Sequence, residues 1–429
     1  MKKLITKIVS ILAKIIIRKY KPFVIGITGS VGKTSTKEAI ALVLKKDFFL
    51  HFSPKNYNND LGLPLTIIGS WAQGKNIFGW LFVFLKAILK IILPFKFPRT
   101  LVLEMAADRP GDIKYLTKLA PCQIGVLTAI APVHLEKFKN IENIIKEKQI
   151  IVTHLLPTGW AVLNGDQENI LELRNKISAK IITFGFKEGN DVKALEPFFV
   201  QEVNKDGDLK INGLRFKLSC RGNIIPVFLS KIIARHQIYS VLAAISVALS
   251  MELNLLETID SLKTFEPPAG RMRIIKGIRE SLIIDDSYNS SPEAVVLALE
   301  TLAEIYNLFG RKKIIVLGDM LELGLSAEGA HYQIGQKIAE EKFHSLIVVG
   351  QLAKKIAEGA IKNGFAEEEV FKFENAISAG KFLKEKINYG DIILVKGSQG
   401  SRMEKTIKEI MAEPDRAKEL LVRQGKEWE

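Results

Sequence analysis

Two cysteines in 429 residues, Cys122 and Cys220, exclude a disulfide scaffold and a multi-cysteine zinc site. They fit a reducing compartment. No internal repeat or low-complexity stretch is present, and 47% hydrophobic with 25% charged residues excludes a disordered or collagen-like chain. No apolar run is long enough to span a bilayer without charge. No small-residue cleavage site follows the basic amino-terminal stretch, which argues against a signal peptide. Acids are missing from two places. Residues 1–21 carry seven basic side chains (Lys2, Lys3, Lys7, Lys14, Arg18, Lys19, Lys21) and residues 74–99 carry five (Lys75, Lys86, Lys90, Lys96, Arg99). These twelve account for most of the net charge of +14, so the rest of the chain is nearly balanced. No stacked-aromatic or groove-helix signature accompanies the charge, which excludes nucleic acid as the partner.

Both basic segments are also greasy. Leu4, Ile8, Ile11, Leu12 and Ile15 recur at helical spacing, with Lys7, Ser10, Lys14 and Arg18 on another face. In 74–99 the apolar run is broken by Lys86 and Lys90, which a spanning helix would hold at the midplane at high cost. A basic amphipathic helix lying on an anionic leaflet accounts for both segments. The alternative is that both pack as core or dimer helices with solvated lysines.

The remainder reads as α/β. Apolar runs at 23–28, 101–105, 124–130 and 160–163 are expected strands, alternating with helical patterns at 34–45, 112–119 and 141–155. That alternation predicts a mostly parallel sheet. Residues 190–230 differ: short runs at 200–203, 209–211 and 214–218 with turn signals predict a small antiparallel patch, followed by a helix at 235–250. A Pro/Gly linker near 266–270 precedes a second βα series. Its strands are expected at 282–285, 313–317, 346–349 and 392–395, and its helices at 292–306, 327–341 and 376–386. The expected domains are a basic helix (1–21), a central domain (22–265) holding the insert 74–99, and a Rossmann-like α/β domain (266–429).

Thr28-Gly29-Ser30-Val31-Gly32-Lys33-Thr34 lies between the first strand and a helix. Glycines let backbone N–H groups curl around phosphate oxygens, and the helix amino terminus adds its positive end. Lys33 would reach the outer phosphates and Thr34 would ligate Mg²⁺. The full phosphate-loop pattern has Gly where this chain has Ile27, so the loop is a shortened variant. Glu104 closes a strand, where an acid points into the ligand crevice. His134 follows the next strand; alone, a histidine there is more often structural than a ligand.

These residues resemble the Mur ligases, ATP-dependent amide ligases of peptidoglycan precursor synthesis. The resemblance covers about residues 22–410 in ordered blocks: ITGSVGKTSTK (27–37), NYNNDLGLPLT (56–66), LEM (103–105), PVHLE (132–136), GRM (270–272), DDSYNSSP (285–292), GDMLELG (318–324) and KGSQGSRME (396–404). The set is most similar to the D-Ala-D-Ala-adding type. The resemblance therefore implies a P-loop central domain and a ligase reaction that joins D-Ala-D-Ala to a UDP-MurNAc-tripeptide in the cytoplasm. It implies that Thr28, Gly29, Ser30, Gly32, Lys33, Thr34 and Ser35 hold ATP. Thr34, Glu104, His134 and Lys148 would hold Mg²⁺, with Lys148 carbamylated by CO₂. His236, Arg271, Asp286, Tyr288 and Asn289 would lie on the nucleotide side, the Asp286 block through closure of the carboxyl-terminal domain. Asn58, Asn59, Lys396, Ser398 and Arg402 would lie on the substrate side.

The chain departs from the family in places. The usual UDP-sugar domain before the phosphate loop is not seen, and the insert 74–99 is longer than usual. Ser240 stands where an adenine-contacting Asn is common, Ala106-Ala107 follows the strand-end acid, and Gln149-Ile150 follows Lys148. Two other readings stay open: a related ligase with another acid and amine, of the poly-γ-glutamate-synthetase type, and a membrane-bound nucleotide-binding module that does not ligate.

Overall fold

The computed structural model describes all residues except 1, 54–56, 133–134, 204–208, 306–310, 426–427 and 429. The chain divides into two compact units. The first comprises residues 1–196, 216–227 and 237–263; the second comprises 197–215, 228–236 and 264–429.

The strands of the large sheet are β1 (Phe23–Thr28), β2 (Leu50–Phe52), β3 (Thr100–Glu104), β4 (Ile124–Leu127), β5 (Trp160–Asn164), β6 (Lys180–Gly185), β7 (Val192–Val203), β8 (Leu209–Cys220) and β9 (Asn223–Leu229). Their order is β2-β3-β1-β4-β5-β6-β7-β8-β9. From β2 through β6 every pairing is parallel, with Ile27 opposite Glu104 and Thr28 opposite Leu127. A parallel sheet covered on both faces calls for near-continuous apolar runs, which is how β1, β3 and β4 read. β8 and β9 are joined by Arg221 and Gly222 alone, both at positive φ, the geometry of a two-residue hairpin. The antiparallel patch is thus present, built of longer strands than the sequence pattern indicates. β2 and β6 escape that pattern because one is three residues long and the other starts on an exposed lysine.

Helices α1 (Lys2–Tyr20), α2 (Lys33–Leu44), α3 (Gly62–Ile68), α4 (Ile77–Ile92) and α5 (Asp112–Leu119) follow the early strands. α3 contains Pro64, tolerated because the first turn of a helix has no intrahelical acceptor for that N–H. Val24, Leu101, Leu103, Leu127 and Leu163 project from one sheet face into a core shared with α1, α3, α4 and α5. α1 packs into this core through Val9, Ala13, Ile16 and Ile17. That is a different stripe from the one read in sequence, and it carries Ser10, whose hydroxyl is met by the Tyr115 Oη–H at 2.5 Å. Leu4, Ile11 and Ile15 are left exposed.

The lysines of α4 also differ from expectation. They are neither solvated nor turned to an outer surface. Lys90 Nζ donates to the Ile68 carbonyl at 2.8 Å, and Lys86 Nζ donates to that of Gly69. Both therefore cap the carboxyl end of α3, where unsatisfied carbonyls and the helix dipole favour a cation. Lys19 does the same for α4, donating to the carbonyls of Lys90, Ile91 and Leu93 at 2.7–3.1 Å, and Tyr20 stacks on Phe97.

The second unit is built on β10 (Arg273–Lys276), β11 (Leu282–Asp286), β12 (Lys313–Gly318), β13 (Ser345–Val349), β14 (Val370–Phe373) and β15 (Ile392–Lys396), in the order β10-β11-β15-β12-β13-β14. All pairings are parallel except β10 with β11. Alternate residues serve opposite cores: Ile284, Ile315, Leu317, Leu346, Val348 and Leu394 on one side, Ile283, Ile314, Val316, Ile347, Ile393 and Val395 on the other. This is the doubly wound sheet expected from the βα series, with β10 and β14 as additional edge strands.

Candidate active site

In the first unit the site is built at the carboxyl ends of β1, β3 and β4. The loop from Gly29 to Gly32 needs two backbone conformations that L side chains rarely adopt, with φ of 155° at Gly29 and 85° at Gly32. A side chain at Gly29 would also collide with Thr128 and the Ala129 backbone. Thr128 latches the loop: its Oγ1–H faces the Val31 carbonyl at 2.6 Å and the Thr28 carbonyl at 3.2 Å. The Ser30 hydroxyl donates to the Ala131 carbonyl and accepts the Ala131 N–H, each at 2.9 Å. The Thr28 hydroxyl donates to the Met105 carbonyl at 2.7 Å. α2 starts at Lys33, so its free amide groups lie at the loop, with Thr34 and Ser35 in the first turn.

Two lysines converge on one carbonyl. Lys33 Nζ donates to Gly29 O at 2.8 Å and Ser30 O at 3.1 Å, and Lys148 Nζ donates to Gly29 O at 3.0 Å. Lys148 is buried, and no carboxylate is paired with it at salt-bridge distance among the described residues. Burial, with help from the Lys33 charge, pushes its pKa down to about 7; Glu147 and Asp108 oppose this. Glu147 itself is held away, accepting the Gly111 and Ile113 N–H groups at 2.7 and 2.6 Å.

Glu104 is buried at the end of β3, level with Ile27 on β1. Asn58 Nδ2 donates to Oε1 at 2.9 Å, while Oε2 is buried without any hydrogen-bond partner among the described residues. A buried carboxylate oxygen left unsatisfied costs about 1–3 kcal/mol, a cost a cation would remove. Thr34 and Glu104, with Lys148 were it carbamylated, would offer oxygen donors alone, the chemistry Mg²⁺ takes. No cluster of three His, Cys, Asp or Glu forms a metal site among the described residues. His134 lies outside the described residues, as does Asn56. Asn59 faces a different task from Asn58: its Oδ1 accepts the Leu61 and Gly62 N–H groups and so starts α3.

The second unit gathers its own set. Lys396 is buried and pairs with Asp286 at 2.6 Å while donating to the Asn289 carbonyl at 2.9 Å. Beside them, desolvation pushes the His236 imidazole down to about 4; Asp286 opposes this and Lys396 adds to it. Arg271 lies over the Tyr288 ring at 4.0 Å. Ser398 Oγ accepts the Leu321 N–H at 2.9 Å, and Arg402 Nε donates to Glu404 at 2.6 Å. His236, Arg271, Asp286, Tyr288 and Asn289 thus share one neighbourhood with Lys396.

Several residues that shape these loops escaped the sequence reading. Thr128 and Glu147 act on elements distant in sequence. Asp285, beside the expected Asp286, accepts the Gly270 and Ser287 N–H groups at 3.0 Å; burial raises its pKa to about 6. Arg423 pairs with the fully buried Glu404 at 2.9 Å and donates to the Ser287 and Tyr288 carbonyls. A strand-end threonine next to the phosphate loop, and the paired acids of 285–286, were the available signals; nothing marked Arg423.

Residues 27–77 and 94–248 match the Mur ligase middle domain, and residues 270–399 match the Mur ligase glutamate ligase domain. A Bacillus subtilis UDP-N-acetylmuramoyl-tripeptide–D-alanyl-D-alanine ligase is 30% identical over 403 residues, 94% of this chain and 79% of the relative. The chain belongs to the Mur ligase family. The Escherichia coli enzyme of the same name is 26% identical, over 90% of this Mur ligase and 76% of its own length. Among solved structures, MurF ligase from Thermotoga maritima in complex with ADP superposes with a TM-score of 0.75 at 26% identity, covering 96% of this chain and 84% of that one. A pseudomurein peptide ligase from Methanothermus fervidus, at 20% identity and a TM-score of 0.62, shares the fold.

Proposed function

We propose that this Mur ligase joins D-Ala-D-Ala to a UDP-MurNAc-tripeptide at the expense of ATP, on the cytoplasmic side and in peripheral contact with an anionic leaflet. The observation that carries the ligase reading is the phosphate loop with Lys33 and buried Lys148 on the Gly29 carbonyl. Glu104 and its unsatisfied oxygen close the neighbouring strand.

A carboxylate is a poor acyl donor because oxide is a poor leaving group. Transfer of the γ-phosphoryl to the tripeptide carboxylate gives an acyl phosphate and ADP. The free amine of D-Ala-D-Ala then attacks the carbonyl carbon, the C–O bond to phosphate breaks, and the amine nitrogen loses a proton. Lys33 and the first-turn amides of α2 would hold the phosphates. Mg²⁺, when bound, offsets the charge on the transferred phosphoryl. Thr34, the free oxygen of Glu104 and Lys148 as its carbamate would hold it. A neutral amine attacks CO₂ and releases one proton, and burial keeps a large neutral fraction of Lys148 at pH 7. The nucleotide-side roles of His236, Arg271, Asp286, Tyr288 and Asn289, and the amine-side roles of Lys396, Ser398 and Arg402, belong to the same proposal.

The test is ADP release with product mass, using UDP-MurNAc-tripeptide and D-Ala-D-Ala with ATP and Mg²⁺. Release is expected only when both substrates are present, with a product heavier than the acid by the dipeptide less water. Release that requires L-glutamate instead of D-Ala-D-Ala would assign a different amine, and ATP binding without product would leave a binding module.

A further inference from the structure

α4 exposes a row of large apolar side chains. Phe78 is 83% exposed, Phe82 67% and Ile92 70%, with Leu81, Leu85 and Ile88 between them. Their spacing places them along one helical face, opposite the buried Trp80, Val83 and Ala87. That face carries no charge, because the only two lysines of α4 turn inward to cap α3. A patch of this size on a monomer marks a contact with something apolar.

α1 packs against α3 and α4 and is fastened to the end of α4 by Lys19 and Tyr20. Its exposed side mixes Lys3, Lys7, Lys14 and Arg18 with Leu4, Ile11 and Ile15. No acid occurs in residues 1–21 or 74–99. α1, and α4 beyond its first residue, fall outside the segments matched to the Mur ligase middle domain, which run from 27 to 77 and from 94 to 248.

We infer that α4 is an interfacial helix that lies flat in the surface of an anionic bilayer, with the basic row of α1 contacting acidic headgroups beside it. The inference rests on the peripheral placement proposed above and assigns it to one face. Sixteen residues give α4 a length of roughly 24 Å, short of a hydrocarbon core of roughly 30 Å. None of the described helices is long and apolar enough to cross. One side of α4 is committed to the protein core, so only the other can enter the acyl boundary, which is the interfacial arrangement. Charge selects the occupant. A second copy docked face to face would set one acid-free basic row against another, since a twofold interface repeats the same patch. Acidic lipid supplies the missing counter-charge.

The experiment is flotation with phosphatidylcholine vesicles containing about a third phosphatidylglycerol, and with pure phosphatidylcholine vesicles, at low salt. The variants are Phe78→Asp/Phe82→Asp/Leu85→Asp and Lys7→Glu/Lys14→Glu/Arg18→Glu. The wild-type chain is expected to float with the anionic vesicles, and the α4 variant to lose partitioning about tenfold or more. The α1 variant should lose the preference for anionic over neutral vesicles. All the altered side chains are exposed, so unchanged thermal melting confirms the fold. As a second readout, a polarity-sensitive dye on Phe82→Cys should shift to the blue on anionic vesicles. Wild-type flotation with no effect of the α4 variant and no dye shift would overturn the assignment to α4 while leaving peripheral placement intact. No flotation of the wild type would overturn both. A wild-type dimer that the α4 variant converts to monomer would show that a second copy covers the face.

Discussion

Lys148 in the first unit and Lys396 in the second are equally buried, each about 2% exposed, yet they are held in opposite ways. Lys396 has a carboxylate at 2.6 Å and a carbonyl at 2.9 Å, so its charge is matched. Lys148 has one carbonyl at 3.0 Å and a second cation, Lys33, on that same carbonyl. Lys148 is poised to give up its proton, and its pKa falls to about 7. A buried ion pair fixes a loop; a buried lysine without a counter-ion is a nucleophile at neutral pH. The difference separates a lysine whose charge is matched from one that, under the proposed function, is open to carbamylation, even though the two share a residue type and a degree of burial.

The largest effect that tests this contrast is at Lys33. Lys33→Ala should lower ADP release ~10³-fold or more, as expected for removing a charge aimed at the transferred group, with unchanged thermal melting. Normal turnover would remove the phosphate loop from the mechanism. Next comes Lys148. Lys148→Ala should lower turnover by roughly 10²-fold or more, and the wild type should lose activity in CO₂-depleted buffer and regain it with bicarbonate. The sign of its pH linkage is also set. The folded pKa lies near 7 and the unfolded value near 10.5. Between them the unfolded chain binds the extra proton, so stability without CO₂ rises as pH rises through that window. Lys148→Met should flatten that part of the melting-temperature profile; an unchanged slope would mean that Lys148 keeps its charge.

The second unit supplies the mirror test. Asp286→Asn leaves Lys396 charged and unmatched, which should cost about 3–5 kcal/mol in urea unfolding. The double variant with Lys396→Met should recover most of that. A loss below about 1 kcal/mol in the single variant would show that the carbonyl of Asn289 alone suffices for Lys396.

The sheet and the phosphate loop were legible because their signals are local. A strand buried on both faces is a run of apolar residues, as in β1 and β3, and a phosphate loop is a string of glycines before a helix. The strand-end position of Glu104 could be read from the same string. What could not be read depends on partners far along the chain. Asn58 meets Glu104 across 46 residues, Thr128 latches a loop 97 residues away, and Arg423 reaches Ser287 over 136. For α1 and α4 the pattern misled for a related reason. Both helices are apolar on more than one side, so periodicity alone could not choose the face that meets the core. Nor could it foresee that the two lysines of α4 would bend back to another helix's end.

Those capping lysines form a third class, between the matched and the unmatched, and give the smallest effect. Burial, with repulsion from Lys86, lowers the pKa of Lys90, yet its ammonium still meets the Ile68 carbonyl at 2.8 Å and lies over the Phe97 ring at 5.5 Å. Lys90→Met would keep the aliphatic contact and remove the hydrogen bond and the charge at the α3 terminus. Lys86 would remain on Gly69, so the expected loss is only about 1 kcal/mol in urea unfolding. Removing Lys86 as well leaves the end of α3 without its cations, and that second loss should exceed the first. Equal, independent losses would mean that the two lysines act on separate carbonyls with no shared role at the helix end. A loss that grows on the second substitution would identify the pair as one cap, and would explain why the outer face of α4 is free of charge.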